Sequence, residues 1–317
     1  MKKRTMIALI VAAALIVTGG MILVLGLSFA GDGTQKSELT RKEITVKESF
    51  ENIKINTADC DVKFAMFSGR DDCMVEIRSY QNVKHTATVE DGTLKIKMLD
   101  DRKWNDYISI FGQSESMEMT VYLPAAEYAS LDIRTDTGDI MLKQEPSFRE
   151  MLLRSDTGDI SCVGVSGDVL DCMTTTGDIS VQNTVANVLK LQSNTGDFSL
   201  SVVTGNEMHM KTNTGEVEAE NVNVQMVTCN TDTGDVELEK VLAEDYLQVV
   251  TNTGSVDVDN SDAGTVSIET NTGDVTGHFL TPKWYQAHSN TGDVQVPHTR
   301  EGGECRIQTD NGDIHFR

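Results

Sequence analysis

From residue 131 onward, apolar and polar positions alternate with period two on both sides of a short polar turn, and the unit recurs every 19 or 20 residues. The turn reads TDTGDI, SDTGDI, TTTGDI, SNTGDF, TNTGEV, TDTGDV, TNTGSV, TNTGDV, SNTGDV and TDNGDI. Its glycines are Gly138, Gly158, Gly177, Gly196, Gly215, Gly234, Gly254, Gly273, Gly292 and Gly312. Seven residues before each glycine stand Leu131, Met151, Leu170, Leu189, Met208, Val227, Leu247, Val266, Tyr285 and Cys305. Five before it stand Ile133, Leu153, Cys172, Leu191, Met210, Cys229, Val249, Ile268, Ala287 and Ile307. Two after it stand Ile140, Ile160, Ile179, Phe198, Val217, Val236, Val256, Val275, Val294 and Ile314. The column four after is mostly apolar as well, with Gly277 its weakest member. Positions between these columns vary freely, as in Asp132, Leu152, Asp171, Lys190 and His209. This is strand, turn, strand, with no helical period.

A lone hairpin of this size cannot bury its apolar face, so the units must stack. Fixed periods of this length mark solenoids, propellers or arrays, and a propeller blade needs about 40 residues. The prediction is therefore an all-β protein, a β-solenoid of about ten coils over 131–317, about 48 Å long at roughly 4.8 Å per coil. A worn copy of the unit lies upstream at Ile53–Phe64, with Cys60 in the glycine place. Thr88–Ile96 reads as a hairpin around Asp91-Gly92, and Met117–Leu123 as a strand stopped by Pro124. Residues 45–130 thus form a degenerate β section that caps the rod, and residues 31–44 a polar tether. Leu99–Ser116, with Trp104, Tyr107, Ile108, Ile110 and Phe111, either folds over the open end of the core or forms an exposed contact loop. The far end has no evident cap, because Phe316 and Arg317 directly follow the last turn. Open strand edges invite pairing, so end-to-end association is possible there.

The turn residues have clear physical roles. Glycine takes positive φ without a steric cost, and Asn or Asp side chains close Asx turns. The column three before the glycine is only Thr or Ser, whose hydroxyls can bond along a ladder or to nearby backbone. The column after the glycine reads Asp139, Asp159, Asp178, Asp197, Glu216, Asp235, Ser255, Asp274, Asp293 and Asp313. Stacked carboxylates repel. One offset is hydrogen bonding from the N–H groups and Thr hydroxyls of each residue's own corner. The other is a row of Ca²⁺ ions held by these carboxylates and the Asp or Asn two before each glycine. Calcium-loaded β-rolls carry a nonapeptide repeat, which is absent here, and Ser255 interrupts the row.

Composition and charge place the body. The chain of 317 residues has 49 acidic and 27 basic residues, a net charge of −22. That excess excludes nucleic acid as a partner, since phosphate recognition needs a basic footprint. Met1–Arg4 is basic, and residues 5–30 then carry no charge and several Leu, Ile and Val. Such a run is long enough to span a bilayer, with the basic end inside and the body outside. Ser28-Phe29-Ala30 also fits a signal-peptide cleavage site. Both readings export the body. Export permits disulfides, and Cys162–Cys172 and Cys60–Cys73 are the pairs placed to bridge. Cys172 and Cys229 share a column but sit three coils apart, about 14 Å, too far to bond.

No nucleophile elbow, phosphate loop, dinucleotide fingerprint or zinc-protease string occurs, and the six histidines follow no ligand spacing. With its membrane segment, its Leu123-Pro124 strand and its serial T-x-T-G-D-[IV] corners, the chain resembles the bacterial β-strand-repeat family labelled "putative adhesin". That family is a domain of unknown function, and some of its members are encoded beside cell-envelope stress systems. The resemblance spans roughly residues 45–317 and implies no catalytic residue or cofactor. The expected function is a non-catalytic, membrane-anchored module that binds or scaffolds at the cell envelope. The alternatives are a calcium-binding structural β-roll and a polysaccharide-active β-helix enzyme.

Overall fold

The computed structural model describes residues 39–66, 72–100, 116–143 and 147–317. The apolar segment at 5–30 and most of the aromatic insert, 101–115, lie outside the described residues. Among the described residues every regular element is a strand, and no helix is long and apolar enough to cross a membrane. The strands form one continuous sheet wound into a β-solenoid.

The repeats stack as the columns require. β13 (Ile179–Gln192), β14 (Phe198–Thr214), β15 (Val217–Thr233), β16 (Val236–Thr253) and β17 (Val256–Thr272) pair parallel, each with the next. Leu189 lies beside Met208, Met208 beside Val227, Val227 beside Leu247, and Leu247 beside Val266. The same register holds upstream through β8 (Tyr128–Thr137), β10 (Phe148–Thr157) and β12 (Ser166–Thr176). From Leu131 to Val275, the columns seven before, five before and two after the glycine are fully or almost fully buried. Their side chains fill the tube.

The T-G-D corner works by contact between coils. A Cβ placed on Gly196 would lie 1.9 Å from the Gly177 carbonyl oxygen, so only glycine lets successive corners touch. The buried hydroxyl three residues earlier donates to the glycine carbonyl one coil back. Thr174 reaches Gly158 at 3.0 Å and Thr270 reaches Gly254 at 3.0 Å. The hydroxyl column therefore bonds to backbone rather than along itself.

Six successive coils also turn at a second corner, six residues after the glycine, which the columns alone do not predict. Gly164, Asn183, Val202, Asn221, Lys240 and Asn260 all have φ between 49° and 70°. Beyond this corner a third side turns inward with Val165, Thr184, Val203, Val222, Val241 and Ser261. The unit is thus a three-sided coil rather than a simple hairpin. Val202 holds φ = 57° with a β-branched side chain, which is costly in the left-handed region.

Coil order is exchanged at both ends. β2 (Asn52–Asn56) pairs parallel with β8 on one side and with β6 (Thr93–Asp100) on the other. The first coil in sequence is therefore second in space, with its Cys60 carbonyl against Gly138 as expected of the worn copy. At the far end β21 (Gly303–Asn311) sits between β17 and β19 (Lys283–Ser289). The last coil in sequence is next to last in space. Lys283 is buried at this junction, paired with Asp262 and donating to the Ala263 carbonyl at 2.6 Å.

The N-terminal end is closed by antiparallel strands. β5 (Val83–Glu90) pairs with β6 around Asp91-Gly92, both at positive φ, confirming the hairpin. β4 (Cys73–Ser79) pairs with β7 (Met117–Leu123) and with β1 (Thr40–Val46). β1 begins inside the stretch that reads as a tether to residue 44. All six cysteines are buried and free, so neither Cys162–Cys172 nor Cys60–Cys73 is bridged. Burial pushes the Cys60, Cys73, Cys229 and Cys305 thiols up to about 12, away from reactivity.

Two predictions follow from this packing. Gly196→Ala should lower unfolding free energy by about 3 kcal/mol or more, because two backbones must part. Val202→Asn should raise it by about 1 kcal/mol by relieving the left-handed valine. Urea unfolding of both variants reads the two signs. The second concerns His85 in β5, which is buried with no partner on Nε2. Burial, helped by Lys42, lowers its pKa from 6.5 to about 4. The folded state thus favours the neutral ring, so His85 stabilises above pH 6.5 and the gain is lost as pH falls toward 4. The loss should approach about 3 kcal/mol between pH 7 and pH 4. His85→Leu should flatten that part of the stability–pH curve in urea titrations.

Candidate binding surface

The acidic column forms a hydrogen-bonded ladder along the T-G-D edge. The Asp139 carboxylate accepts the Asp159 N–H at 2.9 Å, and Asp159 accepts from Asp178 at 2.8 Å. Asp178 accepts from Asp197, and Asp197 from Glu216, both at 2.8 Å. Further along, Asp235 accepts from Ser255 at 2.7 Å, Asp274 from Asp313 at 2.8 Å and Asp313 from Asp293 at 2.8 Å. Each of these carboxylates is therefore held by the backbone of a neighbouring coil. The expectation of bonds within its own corner is corrected on that point. The shift is forced by geometry, since the stacked N–H of the next corner points along the rod axis at the carboxylate below it. Asp61 starts the ladder, accepting the Asp139 N–H at 3.0 Å. Its place next to Cys60 in the worn copy was the signal for it.

Two rungs are missing among the described residues. Glu216 makes no such bond to Asp235, and Ser255 none to Asp274. Both interruptions involve coils that carry a second acidic array. Glu216, Glu218 and Glu220 stand outward on one coil, Asp235, Glu237 and Glu239 on the next, and Asp257 and Asp259 on the third. Alternation along the strands after the corner points all of them to solvent. Carboxylate oxygens of Glu216, Glu218 and Glu237 lie within 4.8 Å of one another. Partial burial, then the charges of Glu218, Asp235, Asp197 and Glu237, raise the Glu216 pKa above its ordinary value. Lys240 pairs with Glu239 at 2.5 Å and approaches Glu220 at 3.7 Å. Toward the C-terminal end the array borders a shallow cleft of about 340 Å³, lined by Glu237, Glu239, Asp257, Asp259, His315 and Arg317.

The nine acidic residues of the turn column thus divide. Asp139, Asp159, Asp178, Asp197, Asp235, Asp274 and Asp313 each spend one oxygen on a neighbouring backbone N–H. Asp293 gives its own N–H to the ladder, and Glu216 alone joins the converging group of carboxylates. Of the outward histidines, His209 bonds Thr228 at 2.8 Å and His288 bonds Asn290 at 3.0 Å.

The serial corners and the sheet wound around them coincide with a known family, whose model matches residues 50–241 and again 212–317. The chain belongs to the Toastrack DUF4097 family. Three solved structures are similar to this Toastrack chain. One is a "putative adhesin" from Bacteroides fragilis, with 14% identity, 88% of this chain and 97% of that chain covered, and a TM-score of 0.43. A second "putative adhesin", from Parabacteroides distasonis, has 11% identity, coverages of 88% and 98%, and a TM-score of 0.49. A "putative lipid binding protein" from the same species has 14% identity, coverages of 88% and 97%, and a TM-score of 0.49. Among curated proteins no relative matches the chain.

The Toastrack ladder makes a specific prediction about charge. Asp197→Ala removes the acceptor for the Glu216 N–H and should cost about 1–2 kcal/mol. Asp197→Asn keeps an acceptor and deletes one of the stacked charges. It should match or exceed the parent in urea unfolding at low salt. A loss as large as alanine's would mean the position needs its negative charge, as a cation ligand would.

Proposed function

We propose that this chain is a non-catalytic, membrane-anchored β-solenoid whose body lies outside the cytoplasm. It acts as an adhesin-like binding or scaffold module at the cell envelope, with the acidic array as its contact surface. The observation that carries this reading is the placement of charge. Residues 131–277 hold 26 acidic and 7 basic residues, against 5 and 4 in residues 278–317. Eight of those acids share one outward flank on three adjacent coils. A dense field of one sign on a rigid face attracts basic or cationic surfaces and raises association rates. The uncharged run at 5–30 behind a basic N-terminus supports the anchor and the outward orientation.

One observation favours a second reading. The cleft beside the array sets Asp257, Asp259, Glu237 and Glu239 near Arg317 and His315, a grouping that glycan hydrolysis could use. Its acidic walls would repel an acidic polymer, which leaves neutral or basic glycans.

The two readings separate in one set of measurements. Binding of the purified full chain to wall material, anionic and zwitterionic vesicles and basic proteins is titrated against salt. The solved neighbours' names bring both adhesion and lipid into that panel. Saturable binding that weakens with salt is expected, falling about tenfold in a Glu218→Gln, Glu237→Gln, Glu239→Gln variant. Absence of any saturable association would overturn the binding role. Turnover of a glycan, lost in Asp257→Asn, would establish the enzymatic one.

A further inference from the structure

The C-terminal end of the rod is unfinished in a way the other end is not. Among the described residues, β19 pairs with β21 on one side only, and β20 (Val294–Gln295) pairs only with β22 (Ile314–Phe316). Their outer edges present unpaired backbone donors and acceptors. The core is open there too. Leu247, Val249, Val256 and Val258 are 0% exposed in their coil. The same four columns are filled at this end by Tyr285, Ala287, Val294 and Val296, with Val294 43% exposed and the others only partly covered. Trp284 and Leu280 add 47% and 54% exposed side chains beside them. The opposite end is closed by antiparallel strands carrying Arg41, Lys42, Glu43, Lys84 and Glu90, the charged edge that discourages pairing.

We propose that this open end is a self-association surface, at which β19 of two copies pairs antiparallel about Gln286 to join two rods end to end. A second copy fits better than a basic partner, because the charge that would attract a basic partner lies elsewhere. Residues 278–317 are almost neutral, so two copies meet here with less repulsion than anywhere along the acidic middle. The strand is also complementary to itself. Centred on Gln286, antiparallel pairing sets Trp284 across from His288 of the second copy and Tyr285 across from its Ala287. Large faces small, an aromatic faces a ring, and no like charges oppose. The contact is isologous, so it closes at two copies. Antiparallel addition to this parallel stack already occurs within the chain, at β7 with β4 and β6 with β5. The coil exchange puts β22 one coil inside the edge, where the Arg317 N–H lies 3.4 Å from the Gly277 carbonyl.

Sedimentation equilibrium of the purified full chain in mild detergent tests this directly. A reversible dimer is expected by about 100 µM, the range of a small, transient interface. Gln286 bonds the Glu304 carboxylate of its own chain at 3.1 Å, so Gln286→Glu sets two carboxylates at the twofold centre, each beside a Glu304, and should weaken the dimer about tenfold. Gln286→Cys should cross-link into a disulfide dimer under mild oxidation, while Asn230→Cys, exposed in the middle of the rod, should not. The six native thiols are buried and do not confuse the readout. A chain that stays monomeric and uncross-linked leaves the edge to another partner and overturns the proposal. So does a dimer indifferent to Gln286→Glu with no link through residue 286, which would place association in the membrane segment.

Discussion

Close contact between successive glycine corners is the constraint on which this molecule rests. With about 2 Å between the Gly177 carbonyl and a hypothetical Cβ on Gly196, no other residue lets the two corners stack. Once they stack, everything else falls into register. The apolar columns superpose, the Thr and Ser hydroxyls reach the carbonyl one coil back, and seven of the Asp carboxylates meet a neighbouring coil's N–H. A single coil makes none of these bonds with itself. Stability is therefore a property of neighbours, as in other quasi-one-dimensional folds.

The same contact resolves the electrostatic difficulty of the turn. A column of carboxylates one coil apart would be unfavourable in isolation. A hydrogen bond from a backbone N–H to an ionised carboxylate is stronger than a neutral one, and here it is made between coils rather than within them. The bond between coils thus offsets the repulsion that the stacked charges create. Glu216 and Ser255 leave this arrangement, one with a longer side chain and one without a carboxylate. Around them, among the described residues, eight outward acids stand on three adjacent coils with Lys240 as the one basic side chain paired with them, which leaves the flank from Glu216 to Asp259 strongly negative.

The periodic features were legible in the chain because they repeat. Ten copies of one turn define the strands, the inward columns and the corner glycines. Even the worn copy at Cys60 is recovered, since its carbonyl sits where a glycine carbonyl sits in the other coils. The second corner was harder to see. Its left-handed positions are held by Gly164, Asn183, Asn221 and Asn260, but also by Val202 and Lys240, residues that hide the signal. The direction of the Asp bonds was not legible either. Sequence shows which groups share a column but not which of two adjacent backbones an acceptor meets. The exchange of coil order at both ends is farther still from sequence, because every coil offers nearly the same columns and fits beside any other.

That interchangeability explains why the exchange is tolerated, and what it does. In a simple stack the terminal coil has one neighbour and frays first. Here β21 and β22 have neighbours on both sides, so releasing the end of the chain means breaking two interfaces. The outermost coil, β19 and β20, is tied into the chain at both of its ends. Lys283 adds a buried anchor where β19 begins, with its charge satisfied by Asp262, the Ala263 carbonyl and the Thr281 hydroxyl. The edge exposed at the far end is therefore a pinned strand and not a loose tail. A pinned edge loses little conformational entropy when something pairs with it. The open core is thus presented by a coil that is held at both of its ends.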